Sequence, residues 1–336
     1  MDAQSLVRLG DYLGPLLDGA GGAPTVTPIA GGQSNPTYFL NFAPGGRYVL
    51  RKQPPGPLLP SAHAIDREYR VQAALAATSV PVARMFVYCP DPDIIGTPFY
   101  VMERLDGRVF HDNALPGLTP EDRAAVFDAM NATLAALHAV DPAVVGLADF
   151  GRPAGFFARQ INRWTKQYEA SRRVAVPALE KLASWLPAHT PSAERGGIVH
   201  GDYRLGNLMF HPSEPRVIGV LDWELATLGH PLADLGYNSM IWFNKPEEYH
   251  GLAGLDLAAL GIPAHAEYAA AYERRARLGE ALQPFHIAFS YFRLAVIFEG
   301  VAARAAQGNA VDARAGELGV FSTLFAERGC RIAGLG

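Results

Sequence analysis

Along the first hundred residues the apolar positions change their period. Leu6, Leu9, Leu13, Leu16 and Leu17 recur at helical spacing, and Gly and Pro then punctuate residues 19 to 28. Three short β-rich runs follow, near 25–30, 37–42 and 47–52. A helix is expected over about 62–77, ended by Pro81, and two more strands over 84–89 and 98–104. The pattern predicts a small mixed sheet with one main helix.

Pro98 to Leu105 is a strand that runs into Asp106-Gly107, a composition suited to a hinge. The chain is therefore expected to divide into a first lobe, residues 1–105, and a second, residues 106–336. Beyond the hinge Phe127, Met130, Leu134, Leu137 and His138 fall at helical spacing, and a second helical block runs from about Phe156 to Trp185. Val217 to Leu221 reads as a buried strand. Pro231 to Gly236 opens a helix with proline in its first turn, and helices near 263–278, 284–306 and 311–328 complete an α+β chain.

Composition narrows the class without choosing a chemistry. The 336 residues carry 29 Lys and Arg against 33 Asp and Glu, a net charge of −4, and 49% are apolar. No block of like charge is present, which argues against a nucleic-acid partner. Cys89 and Cys330 stand too far apart for a disulfide framework or metal knuckle. The apolar stretch Phe285 to Ala303 is broken by Arg293 and Glu299, so it is expected to be core and not a membrane span. These features suit a soluble, cytoplasmic enzyme. Arg274, Arg275 and Arg277 cluster at a predicted helix end, where a solvated face is the default and an anion site the alternative.

The segment from Ile198 to Asp222, IVHGDYRLGNLMFHPSEPRVIGVLD, carries the chemistry. Asp202 and Asn207 stand at the interval of the catalytic loop H-R-D-x-x-x-x-N, and Asp222 ends the strand Val217 to Leu221, where a D-F-G aspartate would stand. Phosphoryl transfer needs a carboxylate to orient an attacking hydroxyl and oxygen ligands to hold Mg²⁺ against nucleotide phosphates. Asp202 is the candidate for the first role, Asn207 and Asp222 for the second. Arg204 offers a cation for charge on the transferred group. His200 is read as support for the loop.

Upstream, Gly31-Gly32-Gln33-Ser34-Asn35 reads as a turn whose glycines would let the backbone approach phosphates, with Gly32, Ser34 and Asn35 as the candidates and an ordinary hairpin as the alternative. Lys52 ends the run VLRK much as the lysine ends V-A-I-K, with Arg51 expected to face the other way. Glu68 on the following helix is its expected carboxylate partner, with Asp66 as competitor. Backbone groups near Glu103 and Leu105 are the candidates for the adenine edge.

HGDYRLGN followed by VLDWELATLGHPLADLG resembles the aminoglycoside phosphotransferase-like branch of the protein-kinase-like superfamily. GGQSNPTY at 31–38, YVLRKQPPG at 48–56 and DWELATLG at 222–229 are most similar to the kinase-like domain that animals carry fused to acyl-CoA dehydrogenases. The resemblance covers most of the chain and implies a two-lobed kinase-like fold, ATP and Mg²⁺ as cofactors, and a hydroxyl acceptor. It gives Asp234 the role of a buried carboxylate bracing the catalytic loop. His230 departs from the family pattern, where an acidic residue is expected.

For the acceptor, acids and bases after residue 231 are nearly balanced, and aromatic residues such as Trp242, Phe243, Phe285 and Tyr291 are frequent. A polycationic aminoglycoside would call for an acidic lobe. An uncharged or anionic acceptor is expected instead, and the subgroup resemblance implies a hydroxy acid or hydroxyacyl-CoA. The alternatives are an aminoglycoside-type sugar phosphotransferase and a catalytically silent nucleotide-binding module. A protein kinase is disfavoured by the absence of an A-P-E segment.

Overall fold

The opening leucine stripe folds as α1 (Ala3–Leu13), capped by Asp2, whose carboxylate accepts from the Ser5 N–H at 2.8 Å. Leu9, Leu13 and Leu17 are buried against Leu40, Leu50, Phe99 and Val101. The computed structural model describes residues 1–29, 35–43, 45–56, 64–192, 196–306 and 319–336. It forms two units: Met1–Val109 with Val145–Leu147 and Asn207–Ala226, and Phe110–Val144 with Ala148–Gly206 and Thr227–Gly336.

In the first unit, β1 (Thr25–Pro28), β2 (Thr37–Asn41), β3 (Arg47–Lys52), β4 (Met85–Cys89) and β5 (Phe99–Glu103) form an antiparallel sheet in the order β1-β2-β3-β5-β4. Strand alternation sorts β5 between two faces. Phe99 and Val101 meet the α1 leucines, whereas Tyr100 turns to α2 (Ile65–Leu75), where its hydroxyl donates to Glu68. A second small sheet joins β6 (Arg108–Val109), β8 (Leu208–Phe210) and β9 (Val217–Val220). Val220 N–H donates to the Pro81 carbonyl at 2.8 Å, and a 3₁₀ turn at Trp223–Leu225 packs on α2. Residues 207–226, expected in the second lobe, belong to the first unit because of this pairing.

The second unit is mainly helical, with α3 (Pro120–Ala139), α4 (Phe156–Ser171), α5 (Pro177–Ala188), α6 (Leu232–Asn238), α7 (Leu257–Leu260), α8 (His265–Ala276), α9 (Pro284–Ala306) and α10 (Gly319–Ile332). Strands β7 (Gly197–Val199) and β10 (Thr227–Gly229) pair beside α3. The helical block expected over 156–185 is two helices, because Pro177 fits only a first turn and holds Val176 extended before it. Helix α9 is long and apolar, yet 83% of its most apolar window is buried, against α4, α5, α6 and α10. It is the core helix of its unit. The Arg cluster ends α8, where Arg275 pairs with Asp128 at 2.6 Å and Asn131 at 2.9 Å.

Candidate active site

In the first unit the sheet register corrects one expectation. Arg51 lies opposite Tyr100, and Lys52 opposite Phe99. Cross-strand partners share a face, so Arg51 faces α2 and Lys52 faces away from it. Arg51 Nε accordingly meets Glu68 Oε2 at 2.8 Å, with side chains 12% and 2% exposed. Lys52 Nζ donates instead to the Ile95 carbonyl at 3.3 Å, and burial lowers its pKa. The carboxylate partner expected for Lys52 is held by Arg51. The alignment of Tyr48-Val49-Leu50-Arg51 with V-A-I-K would have found it, one residue earlier than the lysine that was chosen.

Glu68 also accepts from Asn35 Nδ2 at 2.6 Å and from the Tyr100 hydroxyl at 3.1 Å. Asn35 is fully buried and serves this carboxylate; Gly32 and Ser34 lie outside the described residues. Burial alone would lower the Arg51 pKa, but Glu68, Tyr100 and Asp222 outweigh it and hold the guanidinium charged. Glu103 donates its N–H to the Arg84 carbonyl at 2.8 Å, so that N–H is already engaged. Leu105 lies two residues further on, half-buried.

Arg51 continues from Glu68 to a second carboxylate, Asp222 Oδ1, at 3.3 Å, and reaches Glu224 at 3.9 Å. Asp222 has φ 62°, the left-handed region that costs a non-glycine residue of order 1–3 kcal/mol. Such strain is characteristic of functional positions. The Leu221 N–H donates to the Asn207 carbonyl at 2.8 Å, which sets the backbones of Asn207 and Asp222 beside one another. A carboxamide and a carboxylate are hard oxygen donors of the kind Mg²⁺ takes while keeping water and phosphate oxygens. The donor set thus fits that ion.

In the second unit the catalytic loop hangs on one buried carboxylate. Asp234 on α6, 1% exposed, accepts from His200 N–H at 2.6 Å and Gly201 N–H at 2.8 Å. Its Oδ2 also meets His138 Nε2 at 3.2 Å, and His138 Nδ1 meets the Tyr272 hydroxyl at 2.5 Å. Gly201 has φ 85°, a conformation open to glycine, and its carbonyl accepts from Arg293 at 2.6 Å. Asp202 N–H donates to His200 Nδ1 at 3.2 Å, as expected of a supporting histidine. His230, the departure from the family pattern, finds an acid elsewhere: its Nε2 is 3.2 Å from Glu280.

Burial would raise the Asp234 carboxyl, but His138, His200 and the Gly201 N–H outweigh it and hold the pKa below the ordinary 3.8. Asp234→Asn replaces one acceptor by a donor facing an N–H, and should destabilise the protein by about 3 kcal/mol at neutral pH, read by denaturant unfolding. The sign of the pH effect follows. A depressed carboxyl stabilises fully above its unfolded pKa and loses that contribution as pH falls through the folded one, so the difference between wild type and variant should shrink below about pH 4.

Asp202 lies beside Arg204, whose Nε is 3.3 Å from Asp202 Oδ2. It also accepts a hydrogen bond from Tyr237, which is hydrogen-bonded in turn to Tyr249. Burial, then the Asp202 charge, pushes the Tyr237 pKa well above the ordinary tyrosine value, so this hydroxyl stays a donor. Arg204, Tyr237 and Tyr249 line a cavity of about 220 Å³ together with His111, Asn113 and His250. Among the described residues its lining contains no carboxylate. Sequence reading missed Tyr237, although it stands one helical turn after Asp234; nothing local marked Tyr249, His250 or His111. It also took Arg293 for a charge interrupting an apolar helix.

The profile of the phosphotransferase enzyme family matches residues 25–286. Acyl-CoA dehydrogenase family member 10 of Mus musculus is 44% identical over 304 residues, which are 88% of this chain and 28% of that protein. Acyl-CoA dehydrogenase family member 11 of Rattus norvegicus is 45% identical over 291 residues, 85% of this chain and 37% of that one. The chain therefore spans well under half the length of these relatives. A crystal structure from Ralstonia eutropha JMP134, of a protein provisionally named an aminoglycoside phosphotransferase, superposes with a TM-score of 0.89 at 47% identity, covering 97% of both chains. The expected protein-kinase-like α+β fold is thereby established. The chain belongs to the phosphotransferase enzyme family.

Proposed function

We propose that this protein transfers the γ-phosphoryl group of ATP, with Mg²⁺, to a hydroxyl of a small anionic or uncharged acceptor, a hydroxy acid or hydroxyacyl-CoA. The observation that carries the acceptor class is the cavity beside Asp202. Among the described residues it presents a guanidinium, two imidazoles, tyrosine hydroxyls and side-chain amides, without a carboxylate. Such a lining suits an oxygen-rich anion and repels a polycationic sugar. The resemblance to proteins named for acyl-CoA dehydrogenases supports an acyl-chain acceptor.

In this reading Asp202 accepts the hydroxyl proton and orients the oxygen, while Tyr237 and Arg204 fix the carboxylate rotamer. Arg51, held by Glu68, takes the nucleotide phosphates in the role expected of Lys52. Asn207 and Asp222 would hold Mg²⁺, which when bound neutralises phosphate charge. A silent nucleotide-binding module would be expected to have lost one of these groups, and Asp202, Asn207 and Asp222 are all in place.

The test is ADP release across hydroxyacyl-CoAs, free hydroxy acids and aminoglycosides, with Mg²⁺ present or chelated. Metal-dependent turnover confined to the first two classes is expected. Turnover with aminoglycosides alone would sink the acceptor assignment.

A further inference from the structure

The acceptor cavity is walled on one side by the segment Asn244 to Gly251, whose backbone closes on itself, with the Glu248 and Gly251 N–H groups donating to the Lys245 carbonyl at 2.8 and 3.0 Å. Tyr249 has φ 61° and His250 φ 55°, two consecutive non-glycine residues in the left-handed region. Each such residue is costly, and the pair persists only where the surroundings over-determine it. Gly251 comes so close to Asn244 that an added Cβ would meet the Asn244 carbonyl oxygen at 1.9 Å. The segment is thus folded tightly back on itself, with Asn113 Nδ2 donating to the His250 carbonyl at 2.6 Å.

A second restraint comes from α10, far along the chain. Arg328 is 7% exposed, and its Nη1 meets Glu248 Oε2 at 2.7 Å and Asn244 Oδ1 at 2.7 Å. Asn244 Oδ1 also accepts from the Tyr291 hydroxyl at 2.6 Å. Glu248 closes the turn by accepting from Lys245 N–H at 2.9 Å. One guanidinium therefore grips both the first residue of the segment and the residue before the strained pair. Both contacts are made by the one nitrogen Nη1, which the rigid guanidinium plane holds between the two oxygens. The rings of Phe298 and Phe325 stand edge-on to Tyr249 at 6.0 and 6.4 Å, so α9 and α10 also seat the side chain whose hydroxyl meets Tyr237.

We propose that Arg328 is a positioning residue for the acceptor: through Asn244 and Glu248 it holds the Tyr249–His250 turn, and so sets acceptor affinity without touching the acceptor. The inference rests on the cavity being the acceptor pocket, as proposed above.

Arg328→Met, Arg328→Lys and Glu248→Gln separate this role from general stability. Amide hydrogen exchange on the unliganded protein reads the clamp by itself. Residues 245–253 should exchange about tenfold faster in Arg328→Met, with the amides of α10 within about twofold of wild type. Uniform acceleration through α10, or an unchanged loop, overturns the proposal. Steady-state kinetics with the best hydroxy acid or hydroxyacyl-CoA then reads its consequence. The acceptor KM should rise about tenfold or more in Arg328→Met and Glu248→Gln while the ATP KM stays within about twofold, with Arg328→Lys in between. Equal changes in both KM values also overturn it. If wild type turns over no acceptor, the functional reading fails, while the exchange result still decides whether Arg328 clamps the turn.

Discussion

Asp202→Asn should lower kcat for phosphoryl transfer by about 10³-fold, within the 10²–10⁴ range of a positioned general base, while nucleotide affinity changes little. The substitution is close to isosteric, and the loop that carries it is held from elsewhere. Asp234 binds the His200 and Gly201 N–H groups and Arg293 binds the Gly201 carbonyl, so the backbone should not move. What is lost is the negative charge to which the proposed function gives the hydroxyl proton, together with the second carboxylate oxygen. The Tyr237 hydroxyl can still donate to the amide oxygen, which keeps the side chain in place. A loss in kcat with an unchanged ATP KM marks a group used in the transition state; a loss confined to KM would make Asp202 a binding residue.

Arg51→Met should be the most damaging change in the first unit, and Lys52→Met nearly neutral. Removing Arg51 leaves Glu68, 2% exposed, without its cation, and breaking one partner out of such a buried pair costs about 3–5 kcal/mol. It also removes the cation that reaches Asp222, so kcat/KM for ATP should fall about 10²-fold or more beyond any loss from unfolding. Lys52 gives up one bond to the Ile95 carbonyl, worth about 1 kcal/mol. Thermal unfolding and ATP titration of the two variants decide between the residues. Equal or reversed effects would return the phosphate-binding role to Lys52.

Much of this molecule is legible in its sequence because the signals are local. Helical leucine spacing, β-rich runs and the interval from Asp202 to Asn207 locate the strands, the helix carrying Glu68 and the catalytic loop within a few residues. What escapes is register. Arg51 and Lys52 are adjacent and both cationic, and which of them faces α2 is fixed by pairing with Tyr100 on a strand fifty residues away. The same holds for His138, tied to Asp234 across 96 residues, and for Arg293, whose carbonyl partner is 92 residues off. The acceptor cavity is the extreme case, since Tyr249 and His250 are placed by a strained turn and by Arg328 from α10. Division into two lobes was expected at a single point, whereas residues 207–226 join the first unit through β-pairing.

The most direct test is ³¹P NMR of the protein with ATP, Mg²⁺ and a hydroxy acid or hydroxyacyl-CoA, run beside Asp202→Asn. The γ-phosphate signal should be replaced by a phosphate monoester on the acceptor, with ADP formed in equal amount, and the variant should form it about 10³-fold more slowly. Release of inorganic phosphate without a monoester, or equal rates in the two proteins, would contradict phosphoryl transfer to a hydroxyl through Asp202.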